Sequence, residues 1–270
     1  MKKKFGMIFL TFMILVIYMP ILILMFYSFT DATSIGTNGN FSLQNYITLF
    51  TREDLTDMIK GTLLLAFGAS VLSTILGTLG AIGSFYSRKW AQFGIGMLNQ
   101  IPVVNADVVT GFSICILLIV VLGVDKSTFL PLVVGHVVLC TPFVYLSVMP
   151  KLKTMDNSIY EAAMDLGATP AAALVKAVLP QIIPGVISGF ALSITLSMDD
   201  YFITSYTKPA TFDTISTYVV NATKGNQTEI KTALWALSSI IFLVVVIVVV
   251  IMNVTSGKME KGTGDEKDEA

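Results

Sequence analysis

Charge is what this chain has least of. Only 13% of its 270 residues are Asp, Glu, Lys or Arg, while 54% are hydrophobic. Soluble domains carry about 25% charged residues, so the composition excludes an ordinary soluble protein and points to the membrane. Cysteine is scarce as well. Cys115 and Cys140 both fall inside apolar runs, where they read as small buried hydrophobes and not as a disulfide or metal site. His136 is the single histidine. A metal site would need partners that the sequence does not offer, so packing or hydrogen bonding is the expected role. No Gly-x-x-x-x-Gly-Lys-Ser/Thr loop occurs, so this chain lacks the phosphate cradle of an ATPase. No HExxH, Ser/His/Asp or paired-cysteine arrangement occurs either. A membrane enzyme is therefore disfavoured, and energy for any transport must come from a partner or an ion gradient. No metal or cofactor is expected on the chain itself, and no nucleic-acid partner.

What the chain has is long apolar runs. A helical span needs about 20 such residues. Uncharged stretches cover 5–30, 61–87, 108–124, 127–150, 177–198 and 232–257. Six spans are expected, giving an all-α polytopic membrane protein. The third run is short, so its helix is expected to begin earlier, near Asn99. It is preceded by the polar, proline-interrupted segment from Asn99 to Asp107, and such backbone is tolerated at membrane depth only in protein or beside water. The second run holds Gly61, Gly68, Gly77, Gly80 and Gly83, small residues that let helices approach closely in lipid. Residues 1–257 form one membrane domain on this reading. The tail 258–270 mixes Lys with Asp and Glu, has no apolar periodicity, and is expected to be disordered.

Basic residues set the orientation. With the N-terminus inside, inner segments hold eleven of the 17 Lys and Arg residues and outer segments six. Both termini are expected in the cytoplasm. Lys2 to Lys4 precede an apolar run too long for a signal peptide, so an uncleaved anchor is expected.

Between the fourth and fifth runs lies a soluble-looking hairpin, residues 156–180. Ser158 followed by Glu161 fits a capping box at the start of a helix. Gly167 supplies a left-handed end. Thr169-Pro170 fits an N-cap and first-turn proline for a second helix. Pro180 and Pro184 are expected to end that helix or bend its continuation. At the other end of the fifth run, Asp199 and Asp200 sit side by side at a membrane boundary. A carboxylate in lipid costs up to about 2.5–3.5 kcal/mol, so both are expected to face a water-filled cavity. Adjacent helix positions point about 100° apart, so one of them can face a pore while the other pairs locally. Asp107 joins them as an acid near a broken helix.

Glu161-Ala162-Ala163, Gly167 and Leu179-Pro180 at these spacings resemble the EAA loop of ABC-importer permeases. Ala177 stands where that family usually has Ile, a loss of one apolar contact. The resemblance implies that Glu161, Ala162, Ala163, Asp165 and Gly167 couple to an ATP-hydrolysing subunit. It implies a type I importer permease fold in a bacterial inner membrane. Leu196 to Asp200 after such a loop, then Ser205 to Ala210 and a last apolar span, is similar to permeases of the spermidine/putrescine (PotC-type) family. That resemblance implies a polyamine path lined by Asp107, Asp199, Asp200 and Tyr201, the last available for cation–π contact. It also implies partners: two ATPase copies using ATP and Mg, a second PotB-type permease, an extracellular binding protein, and the lipid bilayer. An importer for another solute and an ion-gradient-driven carrier stay open as alternatives.

Overall fold

The computed structural model describes residues 2–156, 158–224, 232–244, 246–247 and 250. The expected tail 258–270 lies outside them. Helices joined by turns and loops make up the described backbone, and the one β-pairing among the described residues is an isolated bridge between Thr30 and Phe41. In chain order the helices are α1 (Lys2–Ser28), α2 (Gln44–Thr51), α3 (Glu53–Phe85), α4 (Lys89–Val104), α5 (Asp107–Cys115), α6 (Leu130–Thr154), α7 (Ser158–Asp165), α8 (Pro170–Ala173), α9 (Leu179–Asp199), α10 (Phe202–Thr207) and α11 (Ile215–Lys224). α12 covers Thr232–Val244.

Four of these helices are long and apolar enough to cross a bilayer: α1, α3, α6 and the run Pro170–Asp199. The expected third span is not one helix that starts near Asn99. α4 and α5 form a bent pair, 104° apart, broken at Asn105–Ala106. Pro102 sits inside α4, two residues from its end, so the helix stops soon after the proline, and Asp107 opens α5. α5 continues as a π-helical turn, Ile116–Val121. The expected sixth span is described only as α12.

The chain divides into two compact units. In the first, residues 1–59 and 218–249, a side-chain lattice pins the segment after α1. The Asn45 amide donates to Ser28 O at 3.2 Å and to Thr30 O at 2.9 Å. Ser28 and Tyr46 share a hydroxyl bond of 2.9 Å. Tyr27 meets Trp235 edge-on, with ring centroids 5.9 Å apart.

The second unit, residues 60–217 with the C-terminal residues, is built on α6. Ala81 of α3, Val144, Tyr145, Val148, Met149 and Leu152 of α6, and Val178 and Ile182 beside α9 form one buried cluster. Lipid is as apolar as these side chains, so close packing rather than water exclusion holds such helices together. Glycine makes the packing possible. A Cβ on Gly77 would sit 2.6 Å from Val144 Cβ, and one on Gly185 would sit 2.9 Å from Ser147 O. Of the five glycines in the second apolar run, Gly61 and Gly77 are pressed this way, while Gly68, Gly80 and Gly83 have open space.

Candidate functional site: a cytoplasmic-type hairpin joined to an acidic corner

The hairpin forms as its sequence dictates, with one shift at its start. The side chain that caps α7 is Asp156, whose Oδ1 accepts the Ser158 N–H at 2.9 Å. Ser158 itself is already helical. The end of α7 is a Schellman turn. Gly167 N–H donates to Met164 O at 2.9 Å and Ala168 N–H to Ala163 O at 3.0 Å. Gly167 has φ +85°, a conformation that costs an L-residue about 1–2 kcal/mol. Thr169 then caps the next helix, its Oγ1 accepting the Ala172 N–H at 3.3 Å with Pro170 in the first turn.

Pro180 and Pro184 do not end the helix. α8 passes through a π-helical turn, Leu174–Val178, directly into α9. The wider turn absorbs the register change where Pro180 lacks an N–H, and the Gln181 side chain donates to Ala177 O at 2.9 Å. The second arm of the hairpin and the fifth apolar run are thus one continuous element, Pro170–Asp199, of 30 residues. At 1.5 Å per residue it is about 45 Å long.

The base of the hairpin is held and its tip is bare. Tyr160 packs on the buried cluster with Ile82, Phe85, Leu174 and Leu179, and its ring lies 5.1 Å from that of Tyr86. Glu161, Ala162, Asp165 and Gly167 are exposed and Ala163 is half-buried. Leu166 is 90% exposed, with Ile159, Met164 and Val175 also uncovered. Sequence reasoning passes over Leu166. Its signal is an apolar residue placed directly before the turn glycine, where water would favour a polar one.

At the far end of the same element the two adjacent acids part company. Asp199 is exposed, and its backbone oxygen accepts from the Ser216 hydroxyl at 3.1 Å. Asp200 is only 8% exposed. Its Oδ1 accepts the Ile203 N–H at 3.2 Å, and its Oδ2 accepts the Thr204 N–H at 2.7 Å and the Thr204 hydroxyl at 2.8 Å. It caps α10, an expected site for a short acidic side chain. His136 of α6 closes the corner. Its Nδ1 lies 2.7 Å from Ser197 Oγ and its Nε2 3.0 Å from Thr204 Oγ1, so the lone histidine holds α6, α9 and α10 together by hydrogen bonds. Ile203 is wedged between Gly111 of α5 and Gly135 of α6.

Asp107 is exposed in the first turn of α5, and α5 packs on α10. Tyr201 is half-buried with its ring 5.3 Å from Phe202. α10, which follows Tyr201 directly, is thus packed on the element that carries Asp107, and the carboxylates share no bond among the described residues. The arrangement joins an uncovered apolar tip to an exposed acid through one continuous helix.

Comparison with known proteins agrees with that architecture. Residues 73–260 match the family described as binding-protein-dependent transport system inner membrane component. The putrescine transport system permease protein PotI of Escherichia coli K12 is 33% identical over 196 residues, 70% of this chain and 69% of that one. The spermidine/putrescine transport system permease protein PotC of the same strain is 30% identical over 263 residues, 96% of this chain and 97% of its own. Its Haemophilus influenzae counterpart is 30% identical over 230 residues, 85% and 88% of the two chains. Among solved structures, a bacterial ABC transporter that imports alginate matches with a TM-score of 0.73 at 17% identity, covering 94% of each chain. An amino acid ABC transporter with histidines matches at 0.56 and 16%, covering 80% of this chain and 96% of that one. At those identities the structural matches speak for the fold. The chain belongs to the inner membrane components of binding-protein-dependent transport systems, as a multi-pass all-α permease.

Proposed function

We propose that this permease forms half of the translocation pore of an ATP-driven importer of polyamines, spermidine or putrescine. The observation that carries the reading is the continuous helix from Pro170 to Asp199. It gives a push on the hairpin a direct mechanical route to the acid at the other end. The names of the relatives, transport permeases for putrescine and for spermidine/putrescine, support the substrate class.

In this reading the hairpin lies in the cytoplasm with both termini, as the basic residues favour. Two ATPase subunits, using ATP and Mg, grip the tip around Ile159, Glu161, Ala162, Ala163, Asp165 and Leu166. A second, PotB-type permease completes the pore, and an extracellular binding protein delivers the substrate. Closure of the ATPase pair moves α7 and α8. The Schellman turn at Gly167 fixes the angle between them, and the cluster around Val144 and Ile182 carries the motion into α6 and α9. Such a switch is a rigid-body rotation of packed elements.

The pathway acids divide their labour. Asp199 and Asp107 are exposed and offer unpaired carboxylates to a substrate whose ammonium groups are strung along a flexible chain. Tyr201 offers a ring face for cation–π contact, worth about 0.5–2 kcal/mol. Asp200 is the structural member, holding α10 in place beneath them. The test is uptake of radiolabelled spermidine by vesicles that hold the full complex and receive the binding protein outside. Uptake should require ATP on the ATPase side and fall when unlabelled putrescine competes. Uptake that is indifferent to ATP would overturn the proposal.

A further inference from the structure

A second feature of the molecule lies on the α4 side of α6, away from the acidic corner. No residue of α4 is buried. Between α4 and α6 runs an open groove of about 520 Å³. Lys89 and Lys153 line one end, and Phe93, Met97 and Met149 line the rest, as far as Gln100. No acidic residue lines it. Neither lysine makes an ion pair with a described residue, so two cations share one concave site with no protein counter-charge among the described residues.

Three properties identify an occupant. The first is charge: two lysines in one groove call for an anion and repel a polyamine. The second is depth. Trp90, 89% exposed, stands beside Lys89, and Trp is the side chain that settles at headgroup level. The third is length. From Lys89 to Gln100 a helix rises about 16 Å, close to half of the ~30 Å hydrocarbon core. A groove of that length, set along the membrane normal with Trp90 at headgroup level, reaches the mid-plane, charged at the surface and largely apolar below. An elongated molecule with an anionic head and an apolar chain one leaflet long has that profile. Basic pockets between spanning helices take anionic lipid headgroups for the same reason.

We propose that the groove between α4 and α6 is a binding site for one anionic phospholipid, with its phosphate between Lys89 and Lys153 and an acyl chain along Phe93, Met97 and Met149. The lipid fills the concave face of a helix that the fold leaves without a buried residue of its own, and it braces the broken α4–α5 pair against α6. Only the assignment to the inner leaflet rests on the orientation that the basic residues favour.

The test uses the whole complex, extracted in mild detergent from vesicles of equal phosphatidylglycerol and phosphatidylcholine, with retained lipids counted by native mass spectrometry. The wild type should hold phosphatidylglycerol in preference to phosphatidylcholine by about thirtyfold at this site, given two lysines near the surface. The double variant Lys89→Gln, Lys153→Gln should lose one phosphatidylglycerol per copy of this chain. Lys89→Arg, Lys153→Arg should keep it. Equal retention in the Gln and Arg variants overturns the proposal. A photo-crosslinking residue at position 97 in the otherwise native complex is an independent arm. Crosslinks to lipid support the site, and crosslinks to an acidic segment of another subunit overturn it. Neither readout requires transport, so each can fail while the polyamine reading stands, and the reverse.

Discussion

Asp200 grips Thr204 twice, accepting the backbone N–H at 2.7 Å and the hydroxyl at 2.8 Å. Its neighbour Asp199 is exposed, and its carboxylate makes no bond to a described residue. One peptide bond thus separates a buried carboxylate spent on structure from an exposed one.

The two acids should therefore fail differently. Asp200→Ala would take the side-chain acceptor from the N–H groups of Ile203 and Thr204, leaving the Thr204 hydroxyl the Asp200 backbone oxygen at 3.3 Å. Losing such partners costs about 1–3 kcal/mol, read as a lower melting temperature and a lower yield of the purified complex. Asp199→Asn should leave both unchanged and cut spermidine uptake. Equal loss of assembled complex in the two variants would make Asp199 structural as well.

Leu166 should matter to assembly with the ATPase and not to insertion. Leu166→Asp places a charge where an apolar side chain is 90% exposed. In water this is harmless, but in a desolvated interface an unpaired charge is costly. Co-purification of the ATPase subunits should drop by at least about tenfold, one factor per 1.4 kcal/mol, with membrane-inserted permease unchanged. Full co-purification would remove the tip from the docking surface.

Gly77→Val tests the packing of α3 on α6. The added Cβ would lie 2.6 Å from Val144 Cβ and 2.9 Å from Thr141 O, and backbone cannot yield as a side chain can. Overpacking of this kind costs about 1–3 kcal/mol. Thermal unfolding in detergent should shift down, whereas Gly80→Val, facing open space, should stay near wild type.

The hairpin is the most legible part of the sequence, because its signals are local. Gly167, Thr169 and Pro170 each do what their backbone chemistry requires within a few residues. The prolines after it do not end the helix, for a non-local reason. Pro180 and Pro184 are helix breakers in isolation, yet a π-helical turn and the Gln181 side chain let the element pass through them. In the third span the polar, proline-interrupted segment marks the break, but apolar length does not give its 104° bend. Helix geometry alone allows one acid of the pair to face outward while the other pairs locally. Which acid does which depends on Thr204 and His136, positions that only the folded chain brings together. The glycines of α3 look alike in sequence, but partners from α6 and from Phe212 decide which are pressed.

In the proposed mechanism force passes from hairpin to pore through a fixed angle at Gly167 and the helix that begins at Pro170. The most direct measurement is spermidine uptake and ATPase rate, side by side, in the reconstituted Gly167→Val complex with its ATPase subunits still bound. A β-branched residue at φ +85° must reset the turn at a cost of about 1–2 kcal/mol. The prediction is ATP hydrolysis that no longer responds to substrate-loaded binding protein, with uptake abolished. Wild-type uptake with substrate-stimulated hydrolysis in that variant would contradict it.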